Sequence, residues 1–112
     1  MITVHRPWGN FQQFTYNEES TVKIITINPG QRLSLQSHEH RDEKWFILDG
    51  PVDVTLGKDT MTLPAGTDVF VSRMQHHRLG NSQDHPVRVL EIATGEFDED
   101  DICRLEDEYG RA

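Results

Sequence analysis

Apolar and polar residues alternate with a period of two along most of this chain. Val52, Val54 and Leu56 alternate with Asp53 and Thr55, which predicts a half-buried strand. Val87, Val89, Glu91 and Ala93 oppose Arg88, Leu90 and Ile92, which predicts a last long strand over 87–94. Residues 11–16 and 21–28 read as two strands, parted by the polar Asn17-Glu18-Glu19-Ser20. Met61 and Leu63 begin another, and Asp68 to Val71 is a short apolar one after Pro64-Ala65-Gly66. Turn signals separate them. Asn28-Pro29-Gly30 has Pro and Gly in the order of a type II turn, and Asp49-Gly50 and Gly57-Lys58-Asp59 follow. Short strands with a turn every ten residues or so predict an all-β antiparallel sandwich or barrel. No helical period occurs before Phe97, and the acidic residues beyond it read as the start of a short C-terminal helical tail. Trp8, bracketed by Pro7 and Gly9, is expected to plug one end of the core.

The stretch Gly30 to Gly50 carries the chemistry. Leu33 and Leu35 alternate with Ser34 and Gln36, so Ser34, Gln36 and His38 share one side of a strand. After a polar bend, Glu43, Trp45 and Ile47 share one face of a second strand. Paired as a hairpin, these strands would bring an amide oxygen, an imidazole and a carboxylate together at its mouth. Such oxygen and nitrogen donors suit a divalent metal. A site wants four or more ligands, and His76 or His77 is the candidate for the next. Four of the six histidines fall in the two clusters His38/His40 and His76/His77, which raises metal binding above a chance scatter of surface histidines.

The chain has 112 residues, enough for one domain with a single core spanning 1–112. No apolar run approaches a membrane span and no signal peptide opens the sequence, so membrane partners are not expected and the cytoplasm is. Cys103 is the only cysteine, which excludes an internal disulfide and reads as a small half-buried hydrophobe. The net charge of −8 sits almost wholly in residues 96–108, which hold eight acids against Arg104. Without a basic stripe, nucleic acid is disfavoured as a partner. A calcium loop beginning at Asp98 fails because Cys103 stands where the turn needs Gly.

Two spacings carry a family resemblance. Gly30, Gln36-x-His38, Glu43 and Gly50 keep the intervals of the first cupin motif, with Gln in place of its first His. Gly66, His77 and Asn81 keep those of the second, with Ser72 and Met74 in place of its Pro and Gly. The second spacing selects His77 over His76. More narrowly, Arg6-Pro7-Trp8-Gly9, the Gln-x-His variant and the ending from Arg104 to Arg111 are similar to the type II mannose-6-phosphate isomerase domain. That domain is usually the C-terminal half of a bifunctional enzyme with mannose-1-phosphate guanylyltransferase. Lys44 stands where that family usually has His. These 112 residues are not expected to carry nucleotidyl transfer, since they resemble only the isomerase half.

The resemblance implies a cupin-type double-stranded β-helix, or jelly-roll barrel, that binds one divalent metal through Gln36, His38, Glu43 and His77. Without a thiolate, the set suits zinc first, with manganese, cobalt, nickel or ferrous iron as alternatives. It implies interconversion of mannose 6-phosphate and fructose 6-phosphate, with a base moving a proton between carbons 2 and 1. His40, Lys44 and a loosely held Glu43 are the candidate bases. The phosphate needs a guanidinium or ammonium. Arg41, on the bend two residues before Glu43, is the first choice, with Lys23, Arg78, Arg104 and Arg111 as further candidates. A non-catalytic cupin binding a sugar phosphate or sugar nucleotide, and a ferrous-iron oxygenase, are the alternatives. A homodimer is expected from the resemblance to cupins.

Overall fold

The computed structural model describes residues 2–13, 19–95 and 101–106. It holds β1 (Ile2–Arg6), β2 (Gly9–Gln13), β3 (Ser20–Ile27), β4 (Leu35–Ser37), β5 (Arg41–Asp49) and β6 (Val52–Leu56). These are followed by β7 (Asp59–Leu63), β8 (Asp68–Val71), β9 (His77–Gly80), β10 (Val87–Gly95) and β11 (Cys103–Glu106). All pairings are antiparallel. One sheet runs β3-β10-β5-β8, a second runs β11-β4-β9-β6-β7, and β1-β2 form a separate hairpin. The all-β sandwich expected from the period of two is what forms. Residues 14–16 of the first expected strand, most of the acidic stretch and Arg111 lie outside the described residues.

The turn chemistry holds. Gly30 has φ 72° and the Gln31 N–H donates to the Asn28 carbonyl at 3.2 Å, as a type II turn requires. Gly57 also has positive φ, in the two-residue loop between β6 and β7.

Three expectations need correction. The tail from 103 to 106 is a strand, not a helix: Cys103 and Arg104 pair with Ser37 and Gln36. The unpaired edge of β4 offers these residues ladder hydrogen bonds that an isolated, acidic helical turn could not match. Trp8 does not plug the core; it is 72% exposed, at the turn of a hairpin that forms its own small sheet. The strands carrying Gln36 and Glu43 do not form a hairpin. β4 pairs with β9 and β11, whereas β5 pairs with β10 and β8, so they lie in opposite sheets. The bend at Glu39-His40 carries the chain across from one sheet to the other.

The period of two sorts the interior into two ends. On β10, Val87 and Val89 face inward beside Ile27 of β3 and Ile47 of β5, and together with Val52, Val54 and Leu79 they form an apolar core. Further along the same inner face come Glu91 and Ala93, whose partners on β5 are Trp45 and Glu43. In the facing sheet, Arg104, Gln36, His77 and Leu56 form one cross-strand row. Polar groups therefore gather at one end of the sandwich, held by an apolar core at the other. The outer face of the first sheet carries Val22, Ile24, Leu48 and Phe70 exposed. Among the described residues no helix is long and apolar enough to cross a membrane.

Candidate metal and substrate site

The polar end encloses a pocket of about 240 Å³ lined by His38, Glu43, His77, Gln36, Glu91 and the cations Lys23, Arg41, Arg78 and Arg104. His38, Glu43 and His77 are all buried, and one donor atom from each lies within 4.8 Å of the others. The two imidazoles present themselves alike. His38 Nδ1–H donates to the Asp101 carbonyl at 2.6 Å, and His77 Nδ1–H to the Gln75 carbonyl at 2.9 Å. A backbone carbonyl at Nδ1 fixes the tautomer that leaves Nε2 as a ligand. The rings sit 5.0 Å apart by centroid. Burial pushes the His77 imidazole down, only partly offset by Gln75 and Glu43, so it stays neutral as a ligand must. His76 is exposed. This donor set fits a divalent ion, with Gln36 on the same cross-strand row, its Nε2 donating to Ser34 Oγ at 3.0 Å.

Two buried carboxylates sit side by side. Trp45 Nε1–H donates to Glu43 Oε2 at 3.1 Å and to Glu91 Oε1 at 3.3 Å. Burial alone would raise Glu43, but its contacts with His38 and Glu91 outweigh it and hold Glu43 well below the usual carboxylate range. Glu91 goes the other way. Burial, then its hydrogen bond to Glu43 and that group's charge, push it up to about 7, with Lys23 at 3.3 Å pulling back in part. Two like charges this close do not both ionise readily, so the proton resides on Glu91.

Arg41, expected on the bend, is the first residue of β5 and turns into the interior. It is 6% exposed, and its Nε donates to Glu43 Oε1 at 3.2 Å while Nη2 donates to His38 Nε2 at 3.2 Å. The guanidinium thus answers the same two donor atoms an ion would take. His38 Nε2 and Glu43 Oε1 stand 3.1 Å apart and share this positive charge. Gly95, paired opposite Arg41, has φ 113°, and a Cβ there would lie 2.6 Å from the His40 carbonyl. Glycine is what lets β10 run against the start of β5.

The other predicted residues divide. Lys23 and Arg104 line the pocket, and Arg78, which lines it too, donates Nε to the Leu33 carbonyl at 2.8 Å and Nη1 to Glu106 Oε2 at 3.1 Å. His40 and Lys44 are not brought in. His40 is exposed, 3.8 Å from the Glu39 carboxylate. Lys44 has the opposite parity to Glu43 and lies on the outer face, its Nζ 6.0 Å from the Phe46 ring centroid. Met74 stands where the second cupin motif has Gly, and it adopts φ 68°. Its N–H donates to the His38 carbonyl at 2.7 Å, which holds the strained turn in place. Glu91 and Asp101 escaped the sequence reading as site residues. Glu91 had a signal, a carboxylate on the otherwise apolar parity of 87–93; Asp101 had none.

Residues 1–107 match the mannose-6-phosphate isomerase C-terminal family. The chain belongs to that family. Among its relatives, the alginate biosynthesis protein AlgA of Pseudomonas aeruginosa is 40% identical over 109 residues, covering 96% of this chain and 23% of that protein. The xanthan biosynthesis protein XanB of Xanthomonas campestris is 38% identical, with the same coverage. The chain therefore spans about a quarter of the length of these relatives. In structure, a double-stranded β-helix protein of Klebsiella pneumoniae superposes with TM-score 0.70 at 20% identity, covering 84% of this chain and 81% of that one. The fold of this mannose-6-phosphate isomerase C-terminal family member is thus that of a cupin.

Proposed function

We propose that this chain is a metal-dependent aldose–ketose isomerase that interconverts mannose 6-phosphate and fructose 6-phosphate. The observation that carries the reading is the juxtaposition of a two-imidazole, one-carboxylate donor set with four cationic side chains around one pocket, in a chain of this family. His38, Glu43 and His77, with Gln36 beside them, are the residues that would hold the ion. A divalent ion there, zinc first among the candidates, would supply Lewis acidity toward the sugar's carbonyl and hydroxyl oxygens. Lys23, Arg41, Arg78 and Arg104 supply the positive charge that selects an anionic sugar. Isomerisation needs one group to take a proton from carbon 2 and return it to carbon 1. Glu91, pushed up to about 7, lines the pocket and is the carboxylate poised to exchange that proton, since Glu43 is taken up as a ligand; His40 and Lys44 lie outside the pocket. The buried side chains of Trp45 and Leu79 form an apolar part of the pocket wall.

The displacement of His40 and Lys44 favours a second reading, a cupin that binds a sugar phosphate or sugar nucleotide without turning it over. A coupled assay on mannose 6-phosphate with zinc, manganese or cobalt separates the two. We expect turnover that chelator abolishes. Tight sugar-phosphate binding by the metal-loaded chain with no turnover would install the second reading, and oxygen uptake confined to ferrous iron would install an oxygenase instead.

We also propose a homodimer, supported by the exposed apolar residues Val22, Ile24 and Phe70 on one sheet face. Light scattering is expected to give twice the 12.9 kDa chain mass at micromolar concentration; a monomer mass throughout would refute it.

A further inference from the structure

The segment leading into β11 touches the site through Asp101 at three consecutive residues. Its backbone carbonyl accepts His38 Nδ1–H at 2.6 Å. Its carboxylate accepts the Glu39 N–H at 2.9 Å and the His40 N–H at 3.0 Å. The side chains of Glu39 and His40 are exposed, so it is their backbone that Asp101 holds. Hydrogen bonds from N–H to a carboxylate are stronger than neutral ones, and here two act on adjacent amides.

We propose that Asp101 is a positioning residue for His38, fixing the tautomer and aim of its imidazole toward the pocket; this rests on the metal-site reading above. The carboxylate, bonded to two adjacent amides of the bend, helps keep the segment docked and so keeps the carbonyl that sets the tautomer against the ring. The register of β11 supports the same role. Arg104 pairs opposite Gln36, Ile102 and Arg104 line the pocket, and Glu106 ties Arg78. Because that register is fixed, Asp101 cannot slide relative to His38 without breaking the row that includes Gln36 and His77. A mere loop staple would lower stability alone. A positioning residue also changes the state of the ring and its affinity for an ion.

The test compares the parent, Asp101→Asn and Asp101→Ala by imidazole nitrogen NMR of the metal-free protein and by calorimetric titration with zinc. In the parent, His38 is expected in its Nδ1–H form. In Asp101→Ala that form should give way to a tautomer mixture, and the zinc Kd should rise by about 10- to 100-fold. Asp101→Asn retains one acceptor for the Glu39 amide and should fall between. If Asp101→Ala does not fold, the Asn variant carries the comparison, with an intermediate shift in both readouts expected. Parent-like tautomer and affinity in the folded variants would overturn the proposal. A parent that binds no zinc would overturn the metal reading instead, while the His38 tautomer in the metal-free proteins would still decide the role of Asp101.

Discussion

Arg41→Ala is expected to destabilise the metal-free protein by about 3–5 kcal/mol, the usual cost of removing one partner from a buried ion pair. Arg41 and Glu43 are 6% and 2% exposed and meet at 3.2 Å. Without the guanidinium, Glu43 would keep a buried charge beside Glu91, and His38 Nε2 would lose its donor. Urea unfolding in the presence of chelator reads the loss directly. The double variant Arg41→Ala with Glu43→Gln should recover much of it, because the uncompensated charge goes with the carboxylate. Added metal should also recover stability in Arg41→Ala, since an ion would answer the same two donor atoms; occupancy at 100 times Kd is worth about 2.7 kcal/mol. A variant within about 0.5 kcal/mol of the parent in chelator would show that the pair contributes nothing to the fold. Parent-like stability with lost turnover in the metal-loaded protein would instead mark Arg41 as a phosphate clamp and nothing more.

The second large effect concerns metal. His77→Ala is expected to weaken zinc or manganese binding by more than the roughly 100-fold that loss of an outer partner costs, and to abolish isomerisation with it. His76→Ala should match the parent in both. The contrast follows from burial and aim. His77 is 4% exposed, bonded through Nδ1 to the Gln75 carbonyl, and grouped with His38 and Glu43. Its neighbour has the opposite parity and faces solvent. Titration of both variants by calorimetry at matched pH decides the matter, and equal losses in the two would sink the assignment of His77 as a ligand.

Much of this was legible in the residues themselves. Period-two alternation is a local property, so the strands over 52–56 and 87–94, the Pro29-Gly30 turn and the shared parity of Ser34, Gln36 and His38 could be read without a fold. The grouping of His38, Glu43 and His77 was legible through the cupin motif spacing, which selects His77 over His76 and keeps these residues on inward-facing parity. What sequence could not supply was the pairing partner of each strand. Nothing local distinguishes a hairpin between 33–37 and 43–47 from two strands in opposing sheets, yet only the second lets the donors face one another across the interior. The tail was misread for the same reason: acidic residues favour a helix start in isolation, but the free edge of β4 drew 103–106 into the ladder. Tertiary structure also decided which charges matter. Nothing local says whether either face of this strand is closed over, although Arg41 shares the parity of Glu43 and Lys44 does not. One is buried against Glu43, and the other lies on the outer face, because successive residues on a strand project to opposite sides and only one side is closed by a second sheet.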